Sequence, residues 1–297
     1  MDKIKLSIVV SCRNDNYGGN LLDRLCYFLR SVDRFNIPIE IILVEWDPLE
    51  NKDTFDIIIK EWNNITKFKH IVRIIQVSKE NHYKFLKYHN VSEDKKVRYQ
   101  ESAGKNVGIR RANGEIILQT NPDIYFTQKT INNIEKVINN GFNSIITCGS
   151  PRGCRIDIPP INNYKSIIEL NKKKLDEHLN YTDINIGNKI IKINSCALGD
   201  FMLFKKNNVM KSRGFKECPL APYHIEQPFV DAFKQQKIYE QSIDDIKIFH
   251  FDHSRLSLNG MNGLIKKNPD NINLFNIKNN ENWGCWDYNL TETVIRN

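Results

Sequence analysis

Short apolar runs alternate with amphipathic stretches along the first half of the chain. Residues 6–11 and 39–44 are β-branched or apolar almost throughout, as strands buried on both faces of a parallel sheet are. Between them, apolar residues recur every three or four positions from residue 21 to residue 32, after Asn20, a residue type that caps helices. The order strand, helix, strand predicts a βαβ unit with a right-handed crossover.

The same alternation continues along the chain. Further strands are predicted over residues 71–77, 115–120, 144–148, 199–204 and 246–251, and further helices over residues 53–62, 102–111 and 225–235. Residues 161–192 hold a helix and a polar hairpin to which the sequence assigns no role. Two successive βαβ units predict an α/β fold with a mainly parallel sheet.

Composition restricts the class of protein. Of the 297 residues, 40% are hydrophobic and 26% charged, which is ordinary for a folded globular protein. The longest apolar runs are far below the roughly 18–20 residues that a membrane-spanning helix needs, and the N-terminus lacks the pattern of a secretory signal. We therefore expect a cytoplasmic protein with no transmembrane segment. The abundance of Asn, Ile and Lys, whose codons are AT-rich, suggests the AT-rich genome of a large DNA virus or of a parasite; a viral protein would act in the host cytoplasm.

The cysteine content and the net charge restrict the class of protein less strongly. The seven cysteines form no regular framework, which favours reduced thiols over a disulfide scaffold. The formal net charge of +8 suits a polyphosphate ligand, an anionic membrane surface or nucleic acid equally well. Because no motif concentrates basic and aromatic residues, we expect no nucleic-acid partner.

Polar clusters follow three of the predicted parallel strands. They occupy residues 13–15, 45–47 and 121–123. In open α/β sheets, ligands bind beyond the carboxyl ends of the strands, where the strand order reverses. The three clusters therefore predict a ligand site at this edge.

Several segments, in this order and spacing, resemble the inverting GT-A glycosyltransferases, especially family 2 and the galactosyltransferase-like group. The segments are residues 6–14 (LSIVVSCRN), the strand ending at Glu45, residues 103–109 (AGKNVGI), 113–123 (NGEIILQTNPD), 199–204 (GDFMLF) and 213–215 (RGF). The resemblance covers residues 4–126 well and residues 195–255 more loosely. It implies one continuous GT-A body, in which residues 1–127 bind a nucleotide sugar and residues 128–297 bind the acceptor and carry the catalytic base.

The resemblance also assigns residues to the sugar donor, a nucleoside diphosphate sugar that is expected to be UDP-linked. It implies that Ser11, Arg13 and Asn14 lie beside the nucleotide and that Glu45 bonds the ribose or base. Lys105 falls on the segment that borders the diphosphate, where an ammonium group neutralises phosphate charge.

The signature of this family is Asp-x-Asp at a strand end, where a carboxylate holds a divalent ion against the donor phosphates. Here the first position is Asn121 and only Asp123 is a carboxylate. Mg²⁺ and Mn²⁺ bind oxygen ligands and leave positions open for phosphate and water, so one carboxylate with a histidine is sufficient. The resemblance thus implies a Mn²⁺ or Mg²⁺ site at Asp123 with a late histidine, His250 or, by preference, His253.

Residues 223–231 take the place of the segment that carries the catalytic carboxylate in this family. Glu226 and Asp231 are five apart and cannot share a helical face, so one of them is expected to face the site. We favour Glu226, at the predicted helix start, and keep Asp231 as the alternative. The implied reaction is inverting transfer of the sugar to a hydroxyl of a glycan, a protein or a small molecule; a retaining mechanism is the alternative if no carboxylate reaches that hydroxyl.

Two other functions remain open. A non-catalytic nucleotide-sugar-binding module is consistent with Asn121 in place of an aspartate. A nucleotidyltransferase is less favoured, because residues 11–15 separate the first strand from Gly18 and Gly19 where such enzymes carry a basic glycine-rich loop.

Overall fold

The computed structural model describes residues 3–91, 99–148, 155–156, 198–219, 225–251 and 278–296. The strands in these ranges are β1 (Leu6–Cys12), β2 (Ile39–Trp46), β3 (Ile71–Val77), β4 (Ile116–Thr120), β5 (Ile124–Tyr125), β6 (Ile145–Cys148), β7 (Arg155–Ile156), β8 (Phe201–Lys205), β9 (Glu240–Ile243), β10 (Phe249–Phe251) and β11 (Thr291–Ile295). The helices are α1 (Leu21–Val32), α2 (Phe55–Thr66), α3 (Lys79–Tyr88), α4 (Glu101–Arg111), α5 (Gln128–Asn140), α6 (Lys206–Ser212) and α7 (Glu226–Lys234).

Eight strands form one mixed sheet in the order β11-β3-β2-β1-β4-β8-β6-β9. β1 pairs in parallel with β2, with Leu6 opposite Ile39, and with β4, with Leu6 opposite Ile116. β8 runs antiparallel to β4 and β6, and β11 runs antiparallel to β3. The chain builds β2 and β3 on one side of β1 and then returns to place β4 on the other, so the strand order reverses between β1 and β4. That reversal opens a crevice at the carboxyl ends of these two strands.

Helices cover both faces of this sheet. One face of β1 packs Leu6, Ile8 and Val10 into a core shared with α1, α2 and α5. The other face packs Val9 into a core shared with α4 and α7. At Gly108 of α4, an added Cβ would lie 2.5 Å from Val9 Cγ1, so only a glycine lets this helix approach the strand so closely. A second sheet, β5-β10-β7, lies beyond the end of β4.

The predicted α/β fold with a mainly parallel sheet in one body is confirmed, and the predicted strands and helices of residues 6–120 lie within a few residues of the observed ones. One local prediction is wrong: Asn20 does not cap α1. Asn20 has a positive φ of 50° and its side chain makes no capping bond. Asn16 Oδ1 instead accepts from Leu21 N at 3.2 Å, because the turn before the helix folds back on it.

Seven of the observed elements were not among the sequence predictions: α3, α5, α6, β5, β7, β9 and β11. The predicted strand over residues 246–251 is present only as β10, which belongs to the small sheet. The loop at residues 149–160, apart from β7, and the helix and hairpin at residues 161–192 lie outside the described residues. The assignment of residues 1–127 to the donor and residues 128–297 to the acceptor stays a prediction.

Two predictions from composition can be compared with the described part. None of its helices has the length and apolar character needed to cross a membrane. Its five cysteines are free thiols and are buried: Cys12, Cys26, Cys148, Cys218 and Cys285.

Candidate active site

Arg13 follows β1 and connects it to the loop after β2. Its Nε donates to the backbone oxygen of Asp47 at 2.9 Å, and its Nη2 lies 3.1 Å from Asp47 Oδ2. Its Nη1 is 3.8 Å from Asp15 Oδ2. Two of the predicted polar clusters therefore meet at the crevice, and the Arg13 guanidinium already faces two carboxylates.

Three more of the predicted donor-binding residues are buried near the ends of β1 and β2: Ser11, Asn14 and Glu45. The Ser11 hydroxyl has no hydrogen-bond partner among the described residues. Asn14 Nδ2 donates to the backbone oxygen of Asp53 at 2.9 Å, which fixes the loop before α2.

Glu45 is fully buried beneath the start of α2. Its Oε2 accepts from Phe55 N at 3.0 Å and from Gln76 Nε2 at 3.1 Å. Burial raises the pKa of Glu45 to about 7, against the effect of these two hydrogen bonds. The carboxylate thus holds the first turn of α2 onto the sheet. Its contact with a ribose or base stays a prediction.

Asp123 lies just after β4 and is 8% exposed. Its Oδ2 is 3.2 Å from Arg24 Nη1 and 3.6 Å from His250 Nε2. The histidine is brought there by pairing of β10 with β5, which sets His250 opposite Ile124. The predicted pair of Asp123 and His250 therefore does meet, while His253 lies outside the described residues.

Arg24 is one of the residues at this site that the sequence did not indicate. It is 1% exposed, and its Nη2 donates to the backbone oxygens of Tyr17 and, at 3.0 Å, Gly19. One guanidinium thus joins the β1–α1 loop to Asp123. Its position inside an amphipathic helix resembled that of a surface residue, so no sequence pattern marked it.

Asn121 pairs with a carboxylate from the neighbouring antiparallel strand. Its Nδ2 donates to Asp200 Oδ1 at 2.9 Å. Asp200 immediately precedes β8, and its backbone oxygen accepts from Thr120 Oγ1 at 2.7 Å. A carboxylate is therefore present beside the first position of the motif, but it comes from a residue 79 positions along the chain.

Glu226 is the first residue of α7 and lies against the backbone before β8. A Cβ built on Gly199 would lie 2.7 Å from Glu226 Oε1. Burial raises the pKa of Glu226, and Lys105 opposes this shift. Asp231 is on the partly exposed surface of α7, where its Oδ1 accepts from Gln227 Nε2 at 2.9 Å and lies 3.3 Å from Lys234 Nζ. Of the two candidate bases, only Glu226 lies at the carboxyl edge of the sheet.

Lys105 is completely buried in α4. Its Nζ lies 2.5 Å from Glu101 Oε1 and 3.5 Å from the backbone oxygen of Gly199. The resemblance assigns Lys105 to the donor diphosphate, which stays a prediction, and the sequence did not indicate Glu101 or Gly199 as its partners.

The donor atoms at Asp123 fit a divalent ion that is held mainly by its substrate. Two ligand atoms each about 2.1 Å from one ion lie about 3–4 Å apart, and Asp123 Oδ2 and His250 Nε2 are separated by 3.6 Å. No set of three His, Cys, Asp or Glu side chains suited to an ion occurs within the described ranges. Such an ion would therefore take its remaining ligands from phosphate and water, as Mg²⁺ sites commonly do.

Solved structures share this architecture. The chain matches the crystal structure of residues 1–349 of S. aureus TarS with a TM-score of 0.50 and 12% identity, over 84% of this chain and 60% of that one. The chain has a GT-A-type fold. At this identity the GT-A match shows the fold alone, and the chain spans about three fifths of the length of that TarS fragment.

Two further TarS structures match at a TM-score of 0.49 and 12% identity. One is in complex with UDP and matches over 88% of this chain and 63% of that one; the other is in complex with UDP-GlcNAc and matches over 84% and 59%. No protein-family model matches the sequence, and no curated protein matches it. The site residues within the GT-A fold therefore rest on the geometry of this chain.

Proposed function

We propose that this chain is a glycosyltransferase that moves a sugar from a nucleoside diphosphate sugar, with UDP as the expected nucleotide, to an acceptor hydroxyl. The observation that carries the proposal is the position of Glu226. Its carboxylate lies beside Gly199 at the carboxyl edge of a GT-A sheet, the same edge that carries Asn121 and Asp123. A base and a donor-binding cluster at one edge are what transfer between two bound substrates requires.

The reaction follows from these groups. The acceptor oxygen attacks the anomeric carbon, the bond from that carbon to the diphosphate oxygen breaks, and Glu226 takes the hydroxyl proton. The nucleoside diphosphate leaves with the electron pair of the broken bond. Since attack occurs on the face opposite the leaving group, the anomeric configuration inverts.

Asp123 and His250 are the residues proposed to hold Mn²⁺ or Mg²⁺ at the diphosphate. When bound, such an ion supplies positive charge to the leaving group. The nearby cations Arg13, Arg24 and Lys105 each already face a carboxylate. Because their charge is largely neutralised in this way, a metal ion is expected to supply the positive charge at the diphosphate.

An open groove of about 810 Å³ beside Asn14 is proposed to receive the uncharged part of the nucleotide. Its lining includes three carboxylates, which accept hydrogen bonds from hydroxyl groups and repel phosphates. The residues that line it are Asn14, Asn16, Leu22, Glu50, Asn51, Lys52, Asp53, Ile58 and Glu61.

Thermal unfolding with UDP, GDP or CMP, each with Mn²⁺ or with EDTA, tests the donor site. A ligand at a hundredfold excess over its Kd stabilises the folded chain by about 2.7 kcal/mol, a rise in Tm of a few degrees. We expect such a rise with UDP and Mn²⁺. No shift with any nucleotide would refute the proposal.

Glu226→Gln, with Asp231→Asn as its matched control, tests the base. We expect the Glu226 variant to lose release of UDP from UDP-sugars in the presence of acceptors while it keeps the nucleotide-dependent rise in Tm. The Asp231 variant should retain both. Full activity of Glu226→Gln would exclude Glu226 as the base.

A non-catalytic nucleotide-sugar-binding module is the second candidate. It is favoured by Asn121 in the first motif position and by the Arg24 guanidinium on Asp123, which competes with a metal ion for the same oxygen. Nucleotide binding without turnover, for any common nucleotide sugar and hydroxyl acceptor, would support this function.

A further inference from the structure

The Lys105 ammonium group is turned toward the carboxylates of the site. It is buried without exposed surface, and two of its three protons are used by Glu101 Oε1 at 2.5 Å and by the Gly199 oxygen at 3.5 Å. Gln119 Nε2 also donates to the Gly199 oxygen, at 3.1 Å, which fixes that carbonyl. These contacts hold Lys105 in one position beneath the strand edge.

Glu226 reaches the same point from α7. Its Oε1 lies where a side chain on Gly199 would begin, so the carboxylate and Lys105 approach Gly199 from two different helices. The charged groups that face Glu226 are Lys105 and Glu101 of α4 and Asp200 before β8. Lys105 is the one cation in that set, and the two other carboxylates oppose ionisation of Glu226.

We propose that Lys105 is a positioning residue that acts through Glu226, which its positive charge keeps ionised beside Gly199, and that it is not a ligand of the donor phosphates. The inference rests on the proposed function for the role of Glu226 as a base, but the position of both side chains beside Gly199 does not depend on it. A base must be ionised to accept a proton, and burial next to two carboxylates disfavours ionisation. Lys105 offsets both effects.

A double-mutant cycle in urea, measured at several pH values, tests the pair. The variants are Lys105→Met, Glu226→Gln and the double variant, and the effects of leaving Glu101 alone cancel in the cycle. We expect a coupling of about tenfold in the unfolding equilibrium constant at pH 8, and none at pH 4, where Glu226 is protonated. The absence of coupling at pH 8 would overturn the proposal.

Binding of UDP by calorimetry separates the two roles of Lys105. A positioning residue predicts a Kd within about twofold of wild type for Lys105→Met. A phosphate ligand predicts a loss of at least about tenfold, as expected for a charge-assisted hydrogen bond, and that result would overturn the proposal. If the wild type binds no nucleotide, the proposed function fails. The double-mutant cycle still tests whether Lys105 and Glu226 interact.

Gly199→Ala provides a second variant if Lys105→Met does not fold. Its methyl group would displace the Glu226 carboxylate and leave Lys105 and the donor side unchanged. We expect at least a tenfold loss of transfer, with the acid limb of the pH–rate profile moved and the Kd for UDP unchanged. An unaltered pH–rate profile together with full activity would contradict a role for the Glu226 carboxylate in its place beside Gly199.

Discussion

Replacing Arg24 by methionine tests the central ion pair of the site. The guanidinium is 1% exposed and contacts Asp123 Oδ2 and the backbone oxygens of Tyr17 and Gly19. Methionine fills most of the volume but leaves the Asp123 carboxylate buried without its arginine. Breaking one side of a buried ion pair costs about 3–5 kcal/mol. For a chain of this size, we expect Tm to fall by about 6–10 °C.

The assay is urea unfolding of wild type, Arg24→Met, Asp123→Asn and the double variant. Asp123→Asn should cost less than Arg24→Met, because Arg24 keeps two carbonyl acceptors when the carboxylate is removed. The double variant should be more stable than Arg24→Met alone, since no charge is then left unpaired. A loss below about 1 kcal/mol for Arg24→Met would refute the reasoning, because surface ion pairs have that magnitude.

Two further predictions concern buried carboxylates. Glu217, which follows α6, is buried, and its Oε1 accepts from Asn106 Nδ2 at 2.8 Å and from Gly284 N at 2.7 Å. Burial raises the pKa of Glu217 to about 7 against these hydrogen bonds, so the stability that it contributes is complete below about pH 4.5 and is lost as the pH rises through 7. Glu217→Gln should therefore remove on the order of 3 kcal/mol of the pH dependence of stability, measured as urea midpoints from pH 5 to 9. A wild type whose midpoint does not fall over that range would contradict this. Asn121→Asp, which creates an Asp-x-Asp sequence at residues 121–123, should destabilise the chain by about 1–3 kcal/mol at pH 8. The change removes a hydrogen-bond donor and sets a second carboxylate against Asp200. The Tm measured by calorimetry should fall less at pH 4 than at pH 8. The double variant Asn121→Asp/Asp200→Asn, which exchanges the two side chains, should recover stability. Equal losses of Tm at both pH values would contradict the prediction.

The sequence predicted the central strands because their burial is visible in the residue types. β1 and β2 are buried along their whole length, and their apolar runs are nearly continuous. β9 and β11 lie at the two edges of the sheet and are largely exposed, so their polar sequences carry no comparable signal. Edge strands depend on backbone pairing with a neighbour that composition does not reveal.

The sequence could indicate the residues that directly follow a predicted strand. It could not indicate residues that other parts of the fold bring to the same place. Asp123 and Arg13 could be located from β4 and β1 alone. Arg24 and Asp200 could not, because their partners are 99 and 79 residues away in the chain. The motif that includes Lys105 assigns it to the donor, but its contact with Gly199 depends on the pairing of β8 with β4.

The pairing of Asn121 with Asp200 changes what the missing aspartate means. In the sequence alone, Asn121 stands where the Asp-x-Asp motif that this segment resembles has its first carboxylate. In the structure, a carboxylate is hydrogen-bonded to that asparagine at 2.9 Å, and β4–β8 pairing fixes it there by placing Thr120 opposite Phe201. Two aspartates at these positions would repel each other at neutral pH, so an amide at residue 121 is the chemically matched partner of Asp200. Asparagine at residue 121 is therefore compatible with a carboxylate at this place in the fold, and it is not by itself a sign of lost activity.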